Sequence, residues 1–136
     1  MSSSPLVLIV EDLEIWQDVL SEVLIDAGYR VCIAPTYSSA MQALAENSFD
    51  LAVIDPVLDD ANRRNRDGLR VLQQILDRQP DAAAVVVTSS DPTRIQREVH
   101  AMSPAVRLLW KDEWDDEGFL SIVDELISNE PGHDKR

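Results

Sequence analysis

Leu6-Val7-Leu8-Ile9-Val10-Glu11-Asp12 is the stretch on which the fold turns. Five apolar residues run without interruption and give way at once to two acids. An uninterrupted apolar run of this length marks a strand covered on both faces, as in a parallel sheet. Beyond it, Trp16, Val19, Leu20, Val23 and Leu24 recur at helical spacing, and Gly28 supplies a stop signal. A buried strand followed by an amphipathic helix is thus the first unit of the chain.

The same alternation continues to the end. Residues 30–34 read as a second strand, and Thr36 is placed to cap a helix carrying Tyr37, Ala40, Met41 and Leu44. Residues 51–55 form a third strand, apolar until Asp55, and residues 56–66 a polar loop. Leu69, Leu72, Ile75 and Leu76 make a helical stripe that stops near Pro80. A fourth strand covers 84–88, and Asp91-Pro92 opens a helix with Ile95, Val99 and Met102 on its apolar face. A fifth strand spans 106–110, and Phe119, Ile122, Val123, Leu126 and Ile127 belong to a last helix. Five strands alternating with five helices define an α/β fold, a five-stranded parallel sheet with helices on both faces. One domain over residues 1–136 is expected, with its core at about 5–128, a fraying polar tail at 129–136 and nothing left for an output domain.

Composition narrows the function. Acidic residues number 25 against 12 basic ones, a formal charge of −13, which repels phosphate backbones and anionic lipid heads. Nucleic-acid and membrane binding are therefore not expected. The lone Cys32 sits in an apolar run and reads as a buried small hydrophobe, compatible with a reducing cytoplasm. No apolar run approaches the roughly 20 residues of a membrane span, and the first five residues lack the regions of a signal peptide. A cytoplasmic location is the expectation.

In open α/β sheets, ligands bind beyond the carboxyl ends of the strands. There stand Glu11 and Asp12 after the first strand, Asp55 at the third, Thr88 and Ser89 at the fourth, and Lys111 at the fifth. Carboxylates about 4 Å apart repel by about 1 kcal/mol in water and about 4 kcal/mol at an effective dielectric of about 20. A hard cation among them relieves this, and Mg2+ suits a few carboxylate oxygens plus waters. Such an ion favours phosphoryl transfer to Asp55, with Lys111 pairing the acceptor and Thr88 donating to the phosphoryl group. Each residue alone has a plainer reading: Asp12 as a helix cap, Asp55 and Thr88 as turn residues, Lys111 as a surface charge. Their convergence favours a site. His100 reads as an exposed structural residue, and neither it nor His133 has partners spaced for zinc. Trp16, Tyr37 and Phe119 read as core.

Four segments in order carry a family resemblance: Leu6 to Asp12; Leu51-Ala52-Val53-Ile54-Asp55; Val85-Val86-Val87-Thr88-Ser89; and Leu108-Leu109-Trp110-Lys111. Together they resemble the motifs of response-regulator receiver domains, and Asp67-Gly68-Leu69 is similar to that family's opening of the third helix. The resemblance spans about residues 5–128. It implies a flavodoxin-like strand order of 2-1-3-4-5. It implies that Asp55 takes a phosphoryl group from a histidine kinase or phosphotransfer protein, in a two-component phosphorelay, as a signalling phosphoacceptor and not an enzyme. Glu11, Asp12, Asp55 and the Val57 backbone carbonyl would hold Mg2+, and Thr88 and Lys111 would sense the phosphoryl group. A downstream protein target is implied, and a homodimer through helix four, strand five and helix five is the family-based option.

The sequence departs from the pattern in four places. Leu108 stands where the family often has an aromatic switch residue, and Asp112 replaces the usual proline after the lysine, setting a charge that competes for the Lys111 ammonium. The loop over 56–67 is long and holds Arg63, Arg64 and Arg66, a basic patch readable as solvated loop or partner surface. Pro56 stiffens its start and removes a backbone donor. Leu108 and Asp112 leave open a phosphorylation-independent adaptor with a degenerate receiver fold. A phosphohydrolase is disfavoured because no second acid follows Asp55 closely, and a flavin protein because acids end the first strand where phosphate donors belong.

Overall fold

A computed structural model describes residues 4–59, 61–89 and 92–128. Asp91 of the predicted helix start and the tail at 129–136 with His133 lie outside the described residues. The elements follow in strict alternation: β1 (Leu6–Val10), α1 (Glu14–Asp26), β2 (Arg30–Ala34), α2 (Tyr37–Glu46), β3 (Leu51–Ile54), α3 (Asp67–Arg78), β4 (Ala83–Thr88), α4 (Pro92–Met102), β5 (Arg107–Trp110) and α5 (Asp116–Ser128). All strand pairs are parallel, in the order β2-β1-β3-β4-β5. The expected fold class and strand order are both observed.

Strand periodicity explains the uninterrupted apolar runs. Leu8 and Val10 of β1, Ala52 and Ile54 of β3, and Ala84 and Val86 of β4 point to one core, shared with α2, α3 and α4. Val7 and Ile9, Leu51 and Val53, and Val85 and Val87 point to the other, under α1 and α5. The central strands β1 and β3 are apolar at every position, and β4 as far as Thr88, because both their faces are covered. The Thr36 prediction holds: its hydroxyl accepts from the Ser39 N–H, and Ser39 reciprocates, forming a capping box. Gly28, at φ 96°, follows α1 in the left-handed conformation that ends helices.

Three local expectations are corrected. The N-cap of α1 is Leu13 and makes no side-chain cap bond, so Asp12 does not cap this helix. β3 closes at Ile54, leaving Asp55 just past the strand, and Lys111 opens a 3-10 turn over Lys111–Glu113. Cys32 is half-buried on edge strand β2, with its thiol pKa raised by burial and then by Glu46. His100 is exposed, as expected. Among the described residues no helix is long and apolar enough to cross a membrane.

Candidate functional site

The carboxyl ends of β1, β3 and β5 bring the acids and the ammonium together. The Asp55 N–H donates to the Val10 carbonyl at 2.9 Å, so β1 fixes the backbone of Asp55. Glu11 is held from three sides: its N–H donates to the Ala34 carbonyl, its carbonyl accepts from Gln17 Nε2, and its Oε2 accepts from the Leu13 N–H. Glu11 is 1% exposed and Asp55 8%. Burial of two carboxylates this deep demands compensation.

Lys111 supplies part of it. Its Nζ donates to Asp55 Oδ2 at 2.8 Å and lies 2.8 Å from Glu11 Oε1, with its side chain 5% exposed. The Glu11 contact is a close charge pair, and among the described residues Oε1 has no partner besides this ammonium. Asp55 Oδ1 accepts from the Val57 N–H at 2.9 Å. The Trp16 ring centroid lies 5.0 Å from Nζ, and Trp16 meets Trp114 edge-on. Exposed Asp112 does not draw the ammonium out, contrary to the expected competition, because two buried carboxylates attract it more strongly than one solvated one. The peptide bond following Lys111 is trans.

One ammonium does not balance three acids. Suitable oxygens of Glu11, Asp12 and Asp55 all lie within 4.8 Å of one another. Burial, then the neighbouring Asp55 charge, raises the Glu11 pKa to about 7, against the opposing pull of Lys111. Burial also raises Asp55, partly offset by Lys111. For Lys111 burial acts downward, but the two carboxylates outweigh it and the pKa is raised. An all-oxygen donor set, short of positive charge, fits a small hard cation.

The pocket at this point is lined by Asp12, Leu13, Asp55, Val57, Arg63, Ser89 and Lys111, and encloses about 20 Å³, room for one water-sized group. Of the strand-end hydroxyls, Ser89 lines it, while Thr88 is fully buried at the end of β4. Leu108 packs against the core shared by α2, α3 and α4. The sequence did not place Arg63 beside Asp55, since a polar loop carries no signal of where its side chains project. Nor did it foresee the role of Gly68, which packs against the Asp55 carbonyl. Arg64 and Arg66 line a separate open cleft of about 720 Å³, shared with Arg94, Arg97 and Glu98.

Fold and acidic strand-end site together define a parallel α/β module of the signal-receiver type, and the chain belongs to the response regulator receiver domain family, whose model matches residues 7–122. Among solved structures it is similar to a CheY-like receiver domain protein from Methanospirillum hungatei, at 22% identity and TM-score 0.78, covering 93% of this chain and 95% of that one. A response regulator from Thermotoga maritima matches at 20% identity and TM-score 0.78, over 93% and 99% of the two chains. The signal receiver domain of an HD domain-containing protein from Pseudomonas fluorescens gives 22% identity and TM-score 0.82, over 94% and 90%. At these identities the likeness establishes the fold. No curated protein matches the chain.

Proposed function

We propose that Asp55 accepts a phosphoryl group from a histidine kinase or phosphotransfer protein, and that the phosphorylated protein signals by contact with a downstream protein in the cytoplasm. The observation that carries this reading is the Lys111 ammonium, set 2.8 Å from both buried carboxylates, with Asp12 completing an acidic triad. A carboxylate Oδ of Asp55 attacks phosphorus, the P–N bond to the donor imidazole breaks, and the released nitrogen keeps the electron pair and takes a proton from water. Glu11, Asp12, Asp55 and the Val57 carbonyl would hold Mg2+, which supplies charge neutralisation for the incoming phosphoryl oxygens. Lys111 moves its hydrogen bond from the carboxylate to the phosphoryl group, and the Thr88 hydroxyl turns to meet it. The resulting shift between two states would be read at α4, β5 and α5.

The direct test is intact mass after incubation with acetyl phosphate, with and without Mg2+, for the natural protein and Asp55→Asn. A Mg2+-dependent gain of one phosphoryl group, absent in Asp55→Asn, supports the reading. No gain in the natural protein overturns it and favours a phosphorylation-independent adaptor.

A further inference from the structure

The long loop between β3 and α3 delivers a side chain that the receiver reading does not use. Asn65 Oδ1 accepts from the N–H groups of both Leu58 and Asp67, at 2.9 Å each, and so staples the loop's two ends. Arg66 secures its middle. Its Nη1 donates to the Arg63 carbonyl at 2.8 Å and to the Asn65 carbonyl at 2.9 Å, while Nε and Nη2 grip the Glu98 carboxylate on α4 at 3.0–3.3 Å. The Arg63 backbone is thereby tied to α4.

From that anchored backbone, the Arg63 side chain lines the mouth of the Asp55 pocket beside Asp12, Val57, Ser89 and Lys111. It is exposed, and among the described residues it has no hydrogen-bond or ion-pair partner. A guanidinium stands at a pocket with two carboxylates in its lining, and neither holds it. Lys111 already serves Asp55 and Glu11.

A phosphoryl group on Asp55 changes this balance. It brings further negative charge and three strong acceptor oxygens among acids that repel it. A single compact ammonium, already shared, satisfies few of those oxygens. A guanidinium offers two parallel N–H donors matched to two phosphoryl oxygens. We infer that Arg63 is a phosphoryl-binding residue of this site. It contacts the phosphoryl oxygens of the incoming donor and then those of the aspartyl-phosphate. The inference rests on Asp55 being the acceptor.

Two measurements test it together: the rate of mass gain with acetyl phosphate and Mg2+, and the affinity for beryllofluoride followed by tryptophan fluorescence, with Trp16 beside Lys111 as reporter. Arg63→Ala is expected to lower both by about ten-fold, the loss of one charge-assisted contact at an exposed position. Arg63→Lys is expected to recover part of each, and Mg2+ affinity measured alone is expected not to fall, because a guanidinium does not ligate a cation. Arg64→Ala, which removes the same charge from the neighbouring cleft, is expected to match the natural protein. Equal rates and affinities for Arg63→Ala and the natural protein would overturn the inference while leaving Asp55 as acceptor. Equal losses in Arg64→Ala and Arg63→Ala would overturn it in favour of bulk electrostatics. Absence of both labelling and beryllofluoride binding in the natural protein would overturn the acceptor reading itself.

Discussion

Gly68 packs so closely on Asp55 that a β-carbon at Gly68 would lie 1.8 Å from the Asp55 carbonyl oxygen and 2.6 Å from Pro56 Cα. The Gly68 N–H also donates to the Pro56 carbonyl at 3.1 Å. The first turn of α3 is thus pressed against the backbone that carries Asp55, and the clash is with main chain, which cannot swing aside.

Gly68→Ala is therefore expected to destabilise the fold by about 2 kcal/mol or more, within or above the usual range of about 1–3 kcal/mol for overpacking. It should also slow phosphoryl uptake by shifting the Asp55 carboxylate. Urea unfolding checks the first effect and intact mass the second. An alanine variant as stable as the natural protein would mean that α3 retreats freely from β3.

Lys111→Met keeps much of the stem and removes the charge. It leaves Glu11 and Asp55 facing each other without their ammonium, a change that costs about 3–5 kcal/mol when a buried pair is broken. Unfolding in chelator is expected to show a loss of that order, and Mg2+ is expected to restore part of it. Unchanged stability in chelator would remove Lys111 as the main counter-charge of the two acids.

Tyr29 donates its hydroxyl hydrogen to Asp124 on α5, and burial, then that bond, raises its pKa above the ordinary value of 10.0. A raised pKa in the folded state means a stabilising contribution that is full below about pH 10 and declines as pH rises beyond it. Ultraviolet titration is expected to show one of the two tyrosines ionising late. Asp124→Asn should bring that step down, because the carboxylate no longer opposes the phenolate.

Gln79 joins the ends of two helices. Its Oε1 accepts from the Phe49 N–H at 2.8 Å, and its Nε2 donates to the Leu44 and Asn47 carbonyls at 3.2 and 2.7 Å. Gln79→Ala is expected to cost about 2 kcal/mol, the order of a few half-buried hydrogen bonds. Faster hydrogen exchange at the Phe49 amide would locate the loss. Unchanged exchange there would show that water replaces the side chain without penalty.

How much was legible beforehand divides along a physical line. The apolar runs of β1, β3 and β4, the stripes of α1 and α5, the Thr36 cap and the Gly28 stop are local patterns, set by periodicity and backbone conformation, and they carried the α/β fold. The placement of Glu11, Asp12, Asp55 and Lys111 followed from them, because a parallel sheet gathers the residues after its strands at one edge. What only the tertiary structure decided depends on contacts between segments distant in sequence. The need for glycine at position 68 comes from the nearness of α3 to Asp55, and the hold on Lys111 from two buried acids that outcompete adjacent Asp112. Arg63 reaches the pocket, and not the cleft of Arg64, because Arg66 is clamped to Glu98 on α4 and fixes the path of a loop with no periodicity of its own. A strand or helix announces its direction by its repeat, but a loop is steered by whatever it is tied to.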